Sequence, residues 1–348
     1  MATIKGRGTD HNPPNRYESI FVEYDDIEAP RTQFFTDHSK TILAKNNSPD
    51  VGFDYSLNPY RGCEHGCVYC YARPTHEQLG FSAGLDFESK IMIKKDAPVL
   101  LEKIFRSRAW RPQVVALSGN TDCYQPVERR LQLTRACLRV FLQYRNPVSI
   151  ITKNALVLRD LDVLTELARY GLVHVNLSLT TLDNRLCRVL EPRTSSPGRR
   201  LEAIARLAQA GVPVGVMVAP VIPGLNDRDI PAILREAAKA GAENAGYILL
   251  RLPYGLKDLF VQWLRKQVPQ KADKVIHQIQ SMRDGELYQC EFGTRKRGRG
   301  PTAQMIQRLF ELSCSRYGLK LRPAPLRTDL FRHTPEQIQL DFGGASAD

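Results

Sequence analysis

Three cysteines within eight residues, Cys63, Cys67 and Cys70 in the order C-x3-C-x2-C, constrain this chain more than any other feature. The stretch that carries them, Asn58 to Arg73 (NPYRGCEHGCVYCYAR), is interrupted by Gly62 and Gly66. Glycine tolerates the positive φ that a tightly wrapped loop needs. Thiolates this close can converge on one metal centre. A structural zinc wants four closed ligands, whereas three thiolates on a four-iron cluster leave one iron open to a substrate or cofactor. A zinc site completed by a strained His65, and three unrelated core cysteines, are the competing readings of the spacing.

The other five cysteines, Cys123, Cys137, Cys187, Cys290 and Cys314, show no ligand spacing and read mostly as buried small apolar residues. At 348 residues and 43% hydrophobic content the chain can build a core as one large domain or two smaller ones. A net charge of +12 suits an anionic partner such as nucleic acid, or is general basicity. No run of about 18 apolar residues is present, so no membrane span is expected. The N-terminal MATIKGRGTDHNPPNR has no apolar signal core. The expectation is a cytoplasmic protein whose cysteines are thiols or ligands, not disulfides.

Residues 1–50 are polar and weakly periodic apart from Ile20-Phe-Val, and read as an N-terminal extension: an extended arm packing over the main domain, with a disordered first dozen residues. Residues 51–60 read as a short strand entering the cysteine loop, and Leu85 to Lys94 as another extended segment, with Asp96 capping a helix to Ser107. A repeat then sets in. Strand 114–117, helix 126–144, strand 148–152, helix 160–169, strand 173–179, helix 197–210, strand 214–218, helix 228–240 (capped by Asn226 or Asp227) and strand 247–250 follow in turn, with helix stops at Gly171, Gly211 and Gly241. Alternation of this kind implies right-handed crossovers and a parallel sheet, in a doubly wound or barrel arrangement. Residues 51–253 form this α/β domain. Residues 254–348 read as a helical extension, with helices at 256–266, 270–283 and 302–317, a short edge strand at Leu319 and a frayed tail after His333. The loop Arg295-Lys-Arg-Gly-Arg299 is basic enough to track a phosphate backbone, and Tyr288, Phe292 and Tyr317 would suit base stacking. Arg129-Arg130 and Arg199-Arg200 add charge elsewhere.

Ligands in parallel α/β folds gather at the carboxyl ends of strands. Ser118, Asn120, Thr121 and Asp122 follow one strand and are placed to accept from an ammonium group. Lys153 follows the next. Asn176, Ser178 and Thr180 alternate with apolar neighbours and share one face of theirs. Arg193 carries a planar fork suited to phosphate or carboxylate.

The cysteine loop, with Tyr69 just before the third cysteine, resembles the signature of the radical S-adenosylmethionine (radical SAM) superfamily. The flanks, NPYRGCEHGCVYCYARPTH, resemble its branch related to spore photoproduct lyase, described as DNA repair photolyase-like. The resemblance runs from about residue 54 to 250. It implies a partial (β/α)6 TIM-type barrel, agreeing with strands counted near 54, 114, 148, 173, 214 and 247. It implies a 4Fe–4S cluster on Cys63, Cys67 and Cys70 and S-adenosylmethionine on its open iron. One-electron cleavage then gives a 5′-deoxyadenosyl radical that abstracts hydrogen from a substrate, with DNA or RNA one class and a peptide or small metabolite another. It further implies that Thr121 and Asp122 replace the family's usual Gly-Gly-Glu at the methionine amino group. Lys153 would meet the methionine carboxylate and Ser178 the ribose or carboxylate, while Val218, Pro220 and Ile222 would wall the adenine. Reduced flavodoxin or ferredoxin is the implied electron donor. The lyase takes its hydrogen atom from a cysteine just ahead of the second-strand polar motif. Gly119 and Asn120 stand there in this chain, so either Cys123 takes that role from a shifted position or the reaction differs. Outside the enzymes, a non-catalytic metal-containing nucleic-acid-binding protein is the distant alternative.

Overall fold

The computed structural model describes residues 4–17 and 31–334. Among the described residues are ten strands: β1 (Gln33–Thr36), β2 (Leu43–Lys45), β3 (Tyr55–Leu57), β4 (Tyr60–Arg61), β5 (Lys90–Ile93), β6 (Val115–Leu117), β7 (Val148–Thr152), β8 (Val173–Ser178), β9 (Val214–Val221) and β10 (Asn244–Leu249). The main sheet runs β10-β9-β8-β7-β6-β3-β2. From β3 to β10 every pairing is parallel, and β2 adds antiparallel to β3 at the edge. β2 and β10 do not pair with each other, so the sheet stays open. Parallel strands have both faces covered and read as apolar runs; all three residues of β6 and all six of β8 are buried. Six parallel strands in chain order, helices between them, are the α/β arrangement that the repeat implied. A smaller sheet, β1-β5-β4, flanks the cysteine loop.

The helices are α1 (Leu85–Ser89), α2 (Ala97–Arg106), α3 (Glu128–Leu131), α4 (Leu133–Tyr144), α5 (Leu161–Arg169), α6 (Asn184–Leu190), α7 (Pro197–Gln209), α8 (Ile230–Lys239), α9 (Leu256–Gln267), α10 (Ala272–Ser281) and α11 (Gly300–Tyr317). Gly171, Gly211 and Gly241 do follow α5, α7 and α8 with positive φ, the conformation a C-cap glycine takes. Several boundaries differ from those read in the sequence. Leu85 to Lys94 is not extended throughout: α1 precedes β5. The expected helix 126–144 is two, broken where Gln132 adopts φ 53°. α6 was not foreseen, although the Asp183 side chain caps it from Arg185 and Leu186. Neither Asn226 nor Asp227 caps α8. Asn226 instead binds the Ile222 amide and the Thr180 and Pro220 carbonyls, fixing the turn after β9. Near Leu319 only a single bridge, Asn244 to Lys320, forms.

Two apolar clusters organise the interior. The larger lies between the main sheet and its helices. The second gathers Cys67, Val68 and Tyr69 with Leu190, Ile222, Leu252 and α9. On α9 the buried residues are Leu256, Leu259, Phe260, Trp263 and Leu264, the spacing of one helix face. Each such side chain contributes about 1.5–3 kcal/mol by leaving water, so the C-terminal helices hold the cysteine loop by one of its sides.

The N-terminal arm holds another. Residues 4–17 are not disordered but cross the loop as a strap. The Gly8 and Thr9 amides donate to the Glu88 carboxylate at 2.9 and 3.1 Å, Asn12 exchanges hydrogen bonds with Asp86, and Asp10 pairs with Lys266 at 2.5 Å. A Cβ on Gly8 would lie 1.7 Å from the Gly66 carbonyl oxygen, so only glycine permits this approach. Ile20-Phe-Val and nearly all of the tail after His333 fall outside the described residues.

Candidate functional site

The cysteine loop is wound by its own backbone. The Gly66 amide donates to the Cys63 carbonyl, Cys70 to Cys67 and Arg73 to Cys70, with Gly62 and Gly66 at φ 76° and 66°. Arg73, without exposed surface, ties the inside: it donates to the carbonyls of Cys67, Ala83 and Gly84 and pairs with Glu88. Cys63 and Cys67 are buried, Cys70 is half-buried, and all three are free thiols. Burial pushes each thiol's pKa up; the neighbouring thiols raise those of Cys63 and Cys67 further. Three sulfur donors on one loop, none in a disulfide, have the chemistry to serve a group that takes three thiolates, while among the described residues no group of three or more His, Cys, Asp or Glu side chains is gathered to hold a metal ion.

The loop lies against the carboxyl ends of β6, β7 and β8. His65 meets them first, its ring 3.4 Å from Asp122 Oδ2 and 3.2 Å from the Asn154 amide nitrogen. Asp122 is fully engaged: it accepts from the Thr152 hydroxyl at 2.7 Å, the Tyr124 amide at 2.9 Å and the Lys153 amide at 2.8 Å. Burial would raise its pKa, but His65 and these donors hold it below the usual carboxylate value. Ser118, at φ 82°, donates to the Thr121 carbonyl, and Thr121 donates to the Tyr60 carbonyl. The residues of this turn thus shape it, around a pivot that the sequence did not single out: Asn58 Oδ1 accepts from the amides of Gly119, Asn120 and Thr121.

At the next strand ends the charges concentrate. Lys153 Nζ donates to Ser178 Oγ at 2.8 Å and the Ala219 carbonyl at 2.9 Å, and pairs with Glu191 at 3.1 Å. Glu191 has almost no exposed surface. It accepts from the Tyr69 phenol and the Thr180 hydroxyl and pairs with Arg200, itself buried. Desolvation favours the neutral acid, yet Arg200 and then Lys153 hold its pKa far below the ordinary range. Arg200 also donates to the carbonyls of Ser195 and Ser178. Arg200 is therefore not the surface charge that the Arg199-Arg200 pair suggested. Its burial and the anchoring role of Glu191 had no local signal, because their partners come from other elements.

Tyr69, Lys153 and Ser178 are thus brought together over one site with Cys67. Arg193 meets the loop elsewhere, 3.2 Å from Glu64, with its amide on the His65 carbonyl. Pro220, half-buried, follows a cis peptide from Ala219. Val218 packs in the main core, while Ile222 shares the cluster of Cys67 and Tyr69. Cys123 has no exposed surface and sits in the main core, while its chain neighbours Asp122 and Gln125 meet the cysteine loop at His65, Glu64 and Gly62. No helix among the described residues is long and apolar enough to cross a membrane.

A family model described as the Radical SAM superfamily matches residues 57–237. An uncharacterized protein of Mycobacterium tuberculosis is 37% identical over 254 residues, covering 71% of this chain and 75% of its own. An uncharacterized protein of Methanocaldococcus jannaschii is 29% identical over 177 residues, covering 51% of this chain and 63% of its own. Among solved structures, a mutant spore photoproduct lyase with bound AdoMet and dinucleoside spore photoproduct superposes with a TM-score of 0.59 over 83% of this chain and 80% of that one, at 19% identity. That likeness is one of fold.

Proposed function

Because the chain belongs to the radical SAM superfamily, we propose that it is an enzyme that binds a 4Fe–4S cluster through Cys63, Cys67 and Cys70 and acts by hydrogen abstraction. The observation that carries this is the pairing of three free thiols on one loop with the Lys153–Ser178–Glu191 network it touches. Cys63, Cys67 and Cys70 would hold the cluster, and the chemistry it would supply when bound is one-electron reductive cleavage of S-adenosylmethionine. The chain's own residues prepare the place. Lys153 presents an ammonium to the methionine carboxylate, held in position by Ser178, the Ala219 carbonyl and Glu191. Glu191 and Arg200, buried and paired, keep the ends of β8 and β9 and the Tyr69 ring fixed. Asp122 acts as a positioning residue that fixes the Lys153 backbone. Ile222, Pro220 and the second apolar cluster supply the dry wall for adenine and exclude water from a reactive intermediate. The reaction takes its electron from reduced flavodoxin or ferredoxin, and DNA or RNA is the proposed substrate class, in keeping with the net charge of +12.

The test is anaerobic reconstitution with iron and sulfide, followed by S-adenosylmethionine and reductant. 5′-Deoxyadenosine is expected from the intact protein and none from Cys63→Ala, which also fails to retain iron. Stoichiometric cluster with no 5′-deoxyadenosine would overturn the reading. Mass spectrometry of nucleic acids from cells with and without the gene then tests the substrate class.

A further inference from the structure

The basic loop noted in the sequence is not uniformly free. Arg295 pairs with Asp50 at 2.5 Å, and Arg299 with Glu291 at 2.7 Å and Asp284 at 3.6 Å. Arg297 lies 4.5 Å over the Tyr247 ring, and Lys296 joins two cations from outside the loop at the carboxyl end of β10. Arg251 follows β10 and Arg283 follows α10. Lys296 is drawn to both by the Leu249 amide on its carbonyl at 3.0 Å and by Arg283 Nη2, which donates to the Leu250 and Arg295 carbonyls at 2.5 and 3.2 Å. Among the described residues none of Arg251, Arg283 and Lys296 has a carboxylate within ion-pair distance; the Lys296 ammonium donates only to the Asp50 carbonyl.

Arg283 is 1% exposed, and its Nε and Nη1 have no hydrogen-bond partner; nor does Arg251 Nε. Buried donors left this way cost about 1–3 kcal/mol each, more when charged. Burial, then the adjacent Arg251, pulls the Lys296 ammonium down to about 8, and burial also lowers Arg283. The cluster borders the site already described: the Arg251 guanidinium lies 4.9 Å over the ring of Tyr71, the residue after Cys70, and Tyr71 as a whole is 41% exposed.

We propose that Arg251, Arg283 and Lys296 form an oxyanion site that takes a phosphate group of a nucleotide-type substrate and holds it beside the cysteine loop. Guanidinium groups and an ammonium are the side chains that meet phosphate oxygens best, and Tyr71 offers a face on which a base can stack. Assigning that phosphate to the substrate rests on the radical-enzyme reading; the binding itself does not.

The experiment is a calorimetric titration of the reconstituted full chain, without S-adenosylmethionine or reductant. The probes are uridine 5′-monophosphate, its neutral counterpart uridine, and a short single-stranded oligonucleotide. At least one phosphate-bearing probe binds and uridine does not; the tighter of the two tells a free nucleotide from a nucleic-acid backbone. Arg251→Ala and Lys296→Glu each weaken binding by about tenfold or more, while Lys239→Ala, at an exposed position of α8, leaves it unchanged. Circular dichroism verifies that the variants are folded, and the buried Arg283 is left intact for that reason. No binding by either phosphate probe, or equal affinity in wild type, Arg251→Ala and Lys296→Glu, overturns the proposal. Failure to form 5′-deoxyadenosine would leave this result standing.

Discussion

Glu191 carries a full charge in an interior that disfavours charge, and it does so because Arg200 and Lys153 face it. Removing one member of a buried pair leaves the other uncompensated, at a cost of about 3–5 kcal/mol. Glu191→Gln is therefore expected to lose about that much stability in urea unfolding. The pH dependence follows from the depressed pKa. The group's contribution is complete above its unfolded value, about 4.3, and is lost as pH falls toward the folded value. Wild type should lose stability steeply below about pH 4, and Glu191→Gln should show a shallower slope there. At this scale the sequence spoke unevenly. The thiols were legible because three ligands share one loop. Glu191 drew no reading of its own and Arg200 was visible only as half of a basic pair, since burial of a charge is decided by what the rest of the fold brings to it.

Elements were legible where period and punctuation agreed, as for α5, α7 and α8 with their glycine stops, and illegible where a break had no sequence mark. Gln132 splits α3 from α4 in the left-handed region, without a glycine or proline to announce it. That the arm packs over the domain was legible, but the order of its first residues was not: their composition is polar because their partners are Glu88, Asp86 and backbone groups, not an apolar face. Its dependence on close approach gives a sharp expectation. Gly8→Ala places a methyl into the Gly66 carbonyl and should cost about 1–3 kcal/mol. It should also speed tryptic cleavage at Arg7 and Arg16 in limited proteolysis. Gly198→Ala, which meets nothing within 4 Å, should leave both readouts unchanged.

For the whole molecule, the parallel order of the sheet was readable from alternation alone, while the choice of which loops face one another was not. A ligand that binds only the folded chain stabilises it by mass action, about 2.7 kcal/mol at a hundredfold excess over Kd. S-adenosylmethionine should accordingly raise the melting midpoint of the reconstituted protein. Lys153→Ala should abolish most of that rise while binding iron as wild type does; an undiminished rise would remove Lys153 from the site.

The strap has a further consequence, which concerns time. Asp10 meets Lys266, 256 positions later in the chain, and Gly8 closes on a loop whose own anchor, Glu88, comes 80 positions later. During synthesis residues 4–17 leave the ribosome well before either partner exists. They stay undocked until Glu88 has emerged, and they lack the Lys266 contact until α9 follows. The segment that crosses the cysteine loop is thus translated early and seated late, and throughout that interval the thiols of Cys63, Cys67 and Cys70 lie open on the side the strap will close.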